Sequence, residues 1–241
     1  MPDAKKADIS VLCTLGIRSV IIDMAEAFTR GTGLTFSASY QSSIALMDRI
    51  AKGESADVAI ITDATIETLI GQGKVSAESR RDLASAGVGL AVREGFPRPD
   101  ISTPPALKRA LLDAKSITYT VTGASGIHFA EVIKRLGIAK EIDAKATRRD
   151  GLAGELAARG EVEIAVQQIS ELMQVKGIDL LGPLPSELQK TTVFSAGIFT
   201  SAKDPAAAAA LIAWLARPEI RAMIKARGLE PLAAMAAQGT S

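Results

Sequence analysis

Tyr119-Thr-Val-Thr-Gly-Ala-Ser-Gly-Ile-His-Phe-Ala-Glu-Val-Ile-Lys-Arg-Leu-Gly137 is the stretch on which the reading of this chain turns. It predicts a buried strand over 116–121, a small-residue loop over 122–126 and a helix closed by Gly137. Phe129, Val132, Ile133 and Leu136 recur at helical spacing, with Glu131, Lys134 and Arg135 between them. A loop of Thr, Gly and Ser lets a ligand approach the backbone. It also turns the free N–H groups and positive dipole end of the helix toward the same space. That arrangement suits an anion. The spacing has neither the Gly-Lys-Ser/Thr of a nucleotide loop nor Gly-x-Gly-x-x-Gly. Taken alone, an ordinary strand-to-helix turn with a serine cap explains it as well. The anion reading gains because the chain repeats this turn.

Working outward, 9–14 is a short apolar strand, followed by Leu15-Gly-Ile-Arg-Ser19 and a helix to about residue 29. A strand over 34–40 leads to Gln41-Ser42-Ser43, which caps a helix carrying Ile44, Leu46, Met47 and Ile50. Next come a strand over 58–61 and a helix opened by Thr62-Asp63-Ala-Thr65. This alternation requires a largely parallel sheet with right-handed crossovers. After a strand over 87–92, Gly95-Phe-Pro-Arg-Pro-Asp and Thr103-Pro-Pro mark a break, with the proline pair placed to begin a helix. A second series follows: a helix over 106–113, the opening strand and helix, a strand over 144–147 and a helix over 151–159. Strands over 163–167 and 178–181 flank a short helix carrying Glu171. A strand over 192–200 and helices over 206–215 and 218–226 end the chain.

The fold class is therefore α/β in two lobes, with extended crossovers near 87–94 and 191–199 serving as a two-strand hinge. Residues 1–90 and 192–241 form the first lobe and 91–191 the second, with a ligand cleft expected between them.

At 241 residues, 47% hydrophobic and 23% charged, the chain can bury a proper core. Its 28 Lys and Arg against 27 Asp and Glu leave no basic field for nucleic acid, and six Phe, two Tyr and one Trp offer few stacking platforms. Cys13 has no partner for a disulfide, and one His with one Cys makes no zinc or haem site, so neither metal nor cofactor is expected. The longest apolar run, 206–216, is too short to span a bilayer, so direct membrane insertion is not expected. The N-terminus has basic residues and no apolar h-region. The location is periplasmic if a leader was replaced by Met1 and cytoplasmic if Met1 is the native start.

From 9 to 232 the chain resembles the molybdate-type solute-binding proteins of ABC transporters. The resemblance is carried by Gly53-Glu-Ser-Ala-Asp57-Val-Ala-Ile-Ile-Thr-Asp63, Leu69-Ile-Gly-Gln-Gly73, Arg159-Gly-Glu-Val-Glu163, and the stretches around Trp214-Leu-Ala-Arg-Pro218 and Gly228-Leu-Glu-Pro231. It implies the type II periplasmic-binding fold, a small anionic ligand and an ABC membrane component as partner. Aconitate isomerase-like proteins share this broad family, so a soluble isomerase of an unsaturated polycarboxylate is the alternative.

At the positions the family uses for its anion, this sequence departs from the molybdate binders. The first loop reads Thr14-Leu15-Gly16-Ile17-Arg18, the second Ser42-Ser43-Ile44, the third Ala124-Ser125-Gly126-Ile127-His128 and the fourth Gln167-Gln168-Ile169-Ser170. An Arg and longer amides replace small hydroxyls, which suits an organic di- or tricarboxylate. The expected ligand contacts are Thr14, Gly16, Arg18, Gln41, Ser42, Ser43, Thr62, Asp63, Thr122, Ala124, Ser125, Gly126, His128, Gln167 and Gln168.

Each of these has a plainer explanation. Ser43, Ser125 and Asp63 can be helix caps, Arg18 an exposed surface charge and His128 a packing residue. One of Gln167 and Gln168 is expected to face core-adjacent polar space and the other the ligand. No nucleophile is assignable; His128 and Glu171 are the candidate bases for a proton shift.

Overall fold

The computed structural model describes residues 8–232. The N-terminal segment read for a leader, residues 1–7, and the C-terminal segment 233–241 lie outside the described residues. In chain order the elements are β1 (Asp8–Thr14), α1 (Arg18–Thr32), β2 (Thr35–Gln41), α2 (Ser43–Ala51), β3 (Val58–Thr62), α3 (Asp63–Gly71) and β4 (Arg81–Ala86). There follow β5 (Val88–Arg93), α4 (Pro104–Asp113), β6 (Ile117–Tyr119), α5 (Ala124–Arg135), α6 (Ala139–Asp143), β7 (Ala146–Arg148), α7 (Gly154–Ala158), β8 (Ile164–Gln168), α8 (Ile169–Leu172) and β9 (Ile178–Pro183). The chain closes with β10 (Thr192–Ile198), α9 (Pro205–Leu215), α10 (Pro218–Ala226) and β11 (Glu230–Pro231).

Two compact units result: described residues up to Ser85 and from Val193 form the first, and Ala86–Thr192 the second. The chain passes between them twice.

The first unit is built on a sheet of order β11-β4-β10-β3-β1-β2. β2, β1 and β3 are parallel, as the β-α-β-α-β order requires, while β10 runs antiparallel to β3. Alternation sends Leu12, Ala59 and Ile61 to one face, where they pack with Leu46 and Ile50 of α2 and Ile66 and Leu69 of α3. Each such fully buried aliphatic side chain stabilises by about 1.5–3 kcal/mol.

Asp57 explains why the Gly-Glu-Ser-Ala-Asp stretch precedes β3. Its carboxylate accepts from the Ser10 N–H (2.8 Å), the Ser10 hydroxyl (2.6 Å) and the Lys203 N–H (2.7 Å), tying β1 to the chain after β10. Burial pushes its pKa up, but these hydrogen bonds outweigh burial and hold the carboxyl below its usual range.

The second unit repeats the plan with order β7-β6-β8-β5-β9: β7, β6 and β8 are parallel, and β5 pairs antiparallel with β8 and β9. Phe129, Val132 and Ile133 of α5 cover one face with Ile117, Tyr119 and Val166, as the spacing predicts. Leu156 and Ala157 of α7 and Leu172 of α8 cover the other face with Ala165. The proline pair does begin α4, where the Thr103 hydroxyl accepts from the Ala106 N–H at 3.3 Å.

Several boundaries differ from expectation. β4 precedes Gly87 and was not anticipated, because Arg81-Asp82 and the small residues behind them carry no apolar alternation. The helix expected over 151–159 is one short turn at Gly154–Ala158, and α6 lies where no helix was read. The strand expected over 116–121 is only three residues long, and α5 starts at Ala124. Ala124, Ser125 and Gly126 are therefore its first turn, not loop.

Candidate functional site

In the first unit, three strand ends and three helix starts meet. The register places Thr14 of β1 opposite Gln41 of β2, and Cys13 opposite Ile60 of β3. From these ends begin α1 at Arg18, α2 at Ser43 and α3 at Asp63. The first turns of α1 and α2 contain no acidic residue, whereas α3 opens with Asp63. Two helix N-termini thus keep their positive character and the third is compensated internally.

Arg18 stands at the unfavourable end of the α1 dipole. Its Nε is buried without a hydrogen-bond partner, and its guanidinium carbon lies 5.5 Å from the centre of the Tyr40 ring. Among the described residues no ion pair involves Arg18. The neighbouring Ser19 hydroxyl is likewise buried and unpartnered. Burial, aided by the Cys13 sulfur, pushes the Tyr40 phenol up to about 12 against the pull of Arg18, so it stays a neutral donor. Burial also pushes the Cys13 thiol far above its ordinary value, which removes it as a nucleophile. Gly16 has a steric reason: a Cβ there would lie 2.3 Å from the Phe194 ring.

In the second unit the corresponding feature is the first turn of α5. It contains no acidic residue. The Ser125 hydroxyl and the Thr120 hydroxyl, at the end of β6, are buried and lack partners. A Cβ on Gly126 would fall 1.8 Å from the Thr120 carbonyl oxygen, so glycine lets this helix start sit directly on the strand end. Four of the exposed large apolar side chains stand near these helix starts: Ile22 and Ile44 in the first unit, Val121 and Ile127 in the second.

The cap assignments need correction. The α2 cap is Ser42, whose side chain accepts from the Ala45 N–H at 3.2 Å. Ser43 is the first helical residue, and its hydroxyl accepts instead from the Thr62 N–H at 3.3 Å. Ser125 caps nothing; the cap position of α5 is Gly123. Asp63 is also inside its helix, with Thr62 at the cap position and the Thr62 hydroxyl 2.6 Å from that of Thr65.

Neither glutamine is open. Gln167 accepts from the Ala153 N–H (2.7 Å) and donates to the Gly151 carbonyl (2.8 Å). Gln168, with its amide turned to satisfy its surroundings, donates to the Ala86 and Gly87 carbonyls and accepts from Thr192 at 2.8 Å. β8 is an inner strand covered on both faces, so alternation does not bring either residue to the surface. Thr122 donates to Asp150 at 2.6 Å, and the half-buried His128 ring nitrogen lies 2.7 Å from the Leu188 carbonyl, a packing role.

Sequence reasoning missed Tyr40, Ser19, Thr120 and Asp150; Ser19 simply follows Arg18 in the first turn of α1, and the other three sit in no recognisable spacing. Among the described residues there is no cluster of three or more His, Cys, Asp or Glu side chains able to hold a metal, and no helix is long and apolar enough to cross a membrane.

The geometry has counterparts. A curated aconitate isomerase from Pseudomonas sp is 34% identical over 233 residues, covering 94% of this chain and 88% of that protein. The periplasmic molybdate-binding protein of Azotobacter vinelandii superposes with a TM-score of 0.78 at 20% identity, over 92% of this chain and 98% of that one. The sulfate-binding protein SubI of Mycobacterium tuberculosis H37Rv does so with a TM-score of 0.71 at 16% identity, over 94% and 87%. At such identities the two structures speak for the type II periplasmic-binding fold alone. The family described as bacterial extracellular solute-binding protein matches residues 9–230. With nearly its whole length matched, the chain belongs to the bacterial extracellular solute-binding protein family.

Proposed function

We propose that the protein binds a small organic anion carrying two or three carboxylates, with contacts from the helix starts of the first unit. The observation that carries this reading is Arg18: a guanidinium whose Nε is buried and unpartnered, beside two acid-free helix N-termini. A planar carboxylate offers that fork a bidentate partner. Ile22 and Ile44, exposed near these helix starts, favour a ligand with a hydrocarbon skeleton over a bare mineral oxyanion. As a solute-binding protein it delivers this ligand to an ABC membrane component and works in the periplasm; family membership supports both. Calorimetry with citrate, tricarballylate and cis-aconitate against molybdate and sulfate tests the proposal. Carboxylates are expected to bind more tightly, and tight molybdate binding with no carboxylate binding would refute it.

A second reading is isomerisation of an unsaturated polycarboxylate. Its support is the 34% identical relative, whose name assigns it that kind of reaction on aconitate, together with the buried Glu171. Conversion of cis- to trans-aconitate, followed by NMR, separates this reading from simple capture.

A further inference from the structure

Glu171 is 8% exposed, and among the described residues no ion pair involves it. Its partners are the Gln168 N–H and the Gln167 amide. Gln168 is the cap residue of α8 and Glu171 its third helical residue, so the first contact is half of a capping box. An exposed glutamate makes that contact without desolvation. Capping a four-residue helix therefore accounts for the hydrogen bond and leaves the burial unexplained.

Its surroundings are polar but incomplete. β6 and β8 are parallel neighbours with Tyr119 opposite Val166, so the next residues, Thr120 and Gln167, also lie side by side. Thr118 stands opposite Ala165, which faces α7 and α8. The hydroxyls of Thr118, Thr120 and Ser170 are all buried without partners. Gln167, held by Gly151 and Ala153, reaches Glu171 from the strand beside Thr120, on which the first turn of α5 sits. Of the elements packed on α8, α7 carries only Glu155, which pairs with Arg149; β8 carries no charged residue, β5 carries only Arg93 and β9 only Asp179. Asp179 accepts from the Gly95 N–H at 3.1 Å, and none of these charged residues contributes to the Glu171 equilibrium. Burial raises that carboxyl to about 7 against its two hydrogen bonds, so at neutral pH both protonation states are accessible.

We propose that Glu171 is the proton-transfer residue of an allylic proton shift in a bound unsaturated polycarboxylate. The proposal rests on the isomerase reading. The Glu171 carboxylate takes a proton from the methylene next to the double bond: the C–H bond breaks, an O–H bond forms and the electron pair spreads toward the far carboxylate. The protonated side chain then returns the proton to the carbon at the other end of the three-carbon unit. The double bond has moved and the glutamate is regenerated. The α5 N–H groups and the Ser125 and Thr120 hydroxyls are donors for the spread charge.

The test is ¹H NMR of cis- and trans-aconitate in D₂O with the full chain, together with calorimetry. The wild type should interconvert the isomers with deuterium entering the ligand, and its kcat/KM should rise with pH through about 7. Glu171→Gln should slow interconversion at least about 100-fold while affinity changes less than about threefold, and Glu171→Asp should retain part of the rate. Thermal melts check that both variants fold. Undiminished interconversion in Glu171→Gln overturns the residue assignment and leaves the isomerase reading standing. Tight aconitate binding by the wild type with neither interconversion nor deuterium entry overturns both and leaves the solute-capture reading intact.

Discussion

At the helix starts of the first unit the positive charge is permanent, whereas at those of the second the charge is conditional. Arg18 brings a guanidinium whose Nε is buried and unpartnered. The second unit has no such cation at its α5 turn. It offers neutral hydroxyls from Ser125 and Thr120, and on α8 a carboxyl that burial brings to about 7. A fixed charge supplies attraction and orientation, and a titratable group supplies proton exchange. The difference predicts that loss of Arg18 reads out in affinity, and loss of Glu171 in pH dependence.

The largest effect should come from Gly126→Ala. With the Thr120 carbonyl 1.8 Å from the new Cβ, the first turn of α5 must shift, costing about 3 kcal/mol of stability and removing the anion contacts. Chemical denaturation measures the cost, and a neutral result would show that the close approach of helix and strand is dispensable.

Glu171 comes next. Its folded-state pKa, about 7, lies above the unfolded value, so the proton is held more tightly in the native state. Stability relative to Glu171→Gln should be unaffected below about pH 4, fall as pH rises through the window up to about 7, and level off above it. The total loss is on the order of 3 kcal/mol. Parallel pH profiles of the two proteins that never diverge would contradict the burial argument.

Arg18→Ala should weaken dicarboxylate binding by about 2 kcal/mol, the loss of a charge-assisted pair, with little change in melting temperature. Equal affinities by calorimetry would move the carboxylate elsewhere. The smallest effect is expected from Ser42→Ala, about 1 kcal/mol of stability through loss of the α2 cap. The corresponding Ser125→Ala should cost less than that, because Ser125 caps nothing, yet it should weaken the anion.

The order of elements was legible because α5 and the parallel strands write their burial into spacing: Phe129, Val132 and Ile133 could serve no other face. β4 was not, since its inward residues are Leu83, Ala84, Ser85 and Ala86, too small to mark a period. The helix starts of the first unit were legible to within a residue or two. Ser42 and Ser43 are chemically equal, and only the extended backbone of Ser42 (φ −64°, ψ 152°) makes it the cap. Gln167 and Gln168 could not be read as buried, because nothing in a dipeptide of amides announces the Gly151, Ala153, Ala86 and Gly87 backbone groups waiting for them.

The placing of β10 sets a timetable for synthesis. This strand lies between β4 and β3, pairing Phe194 with Thr62 and Ala196 with Ile60, and its Phe194 ring is the surface on which Gly16 rests. A nascent chain therefore finishes every residue of the inserted second unit before the first can close. Until residue 198 leaves the ribosome, β3 keeps an open edge and Gly16 lacks the ring it packs on. The second unit, encoded as one uninterrupted segment, can complete its sheet first, and the first unit is sealed only by the segment that begins at Val193.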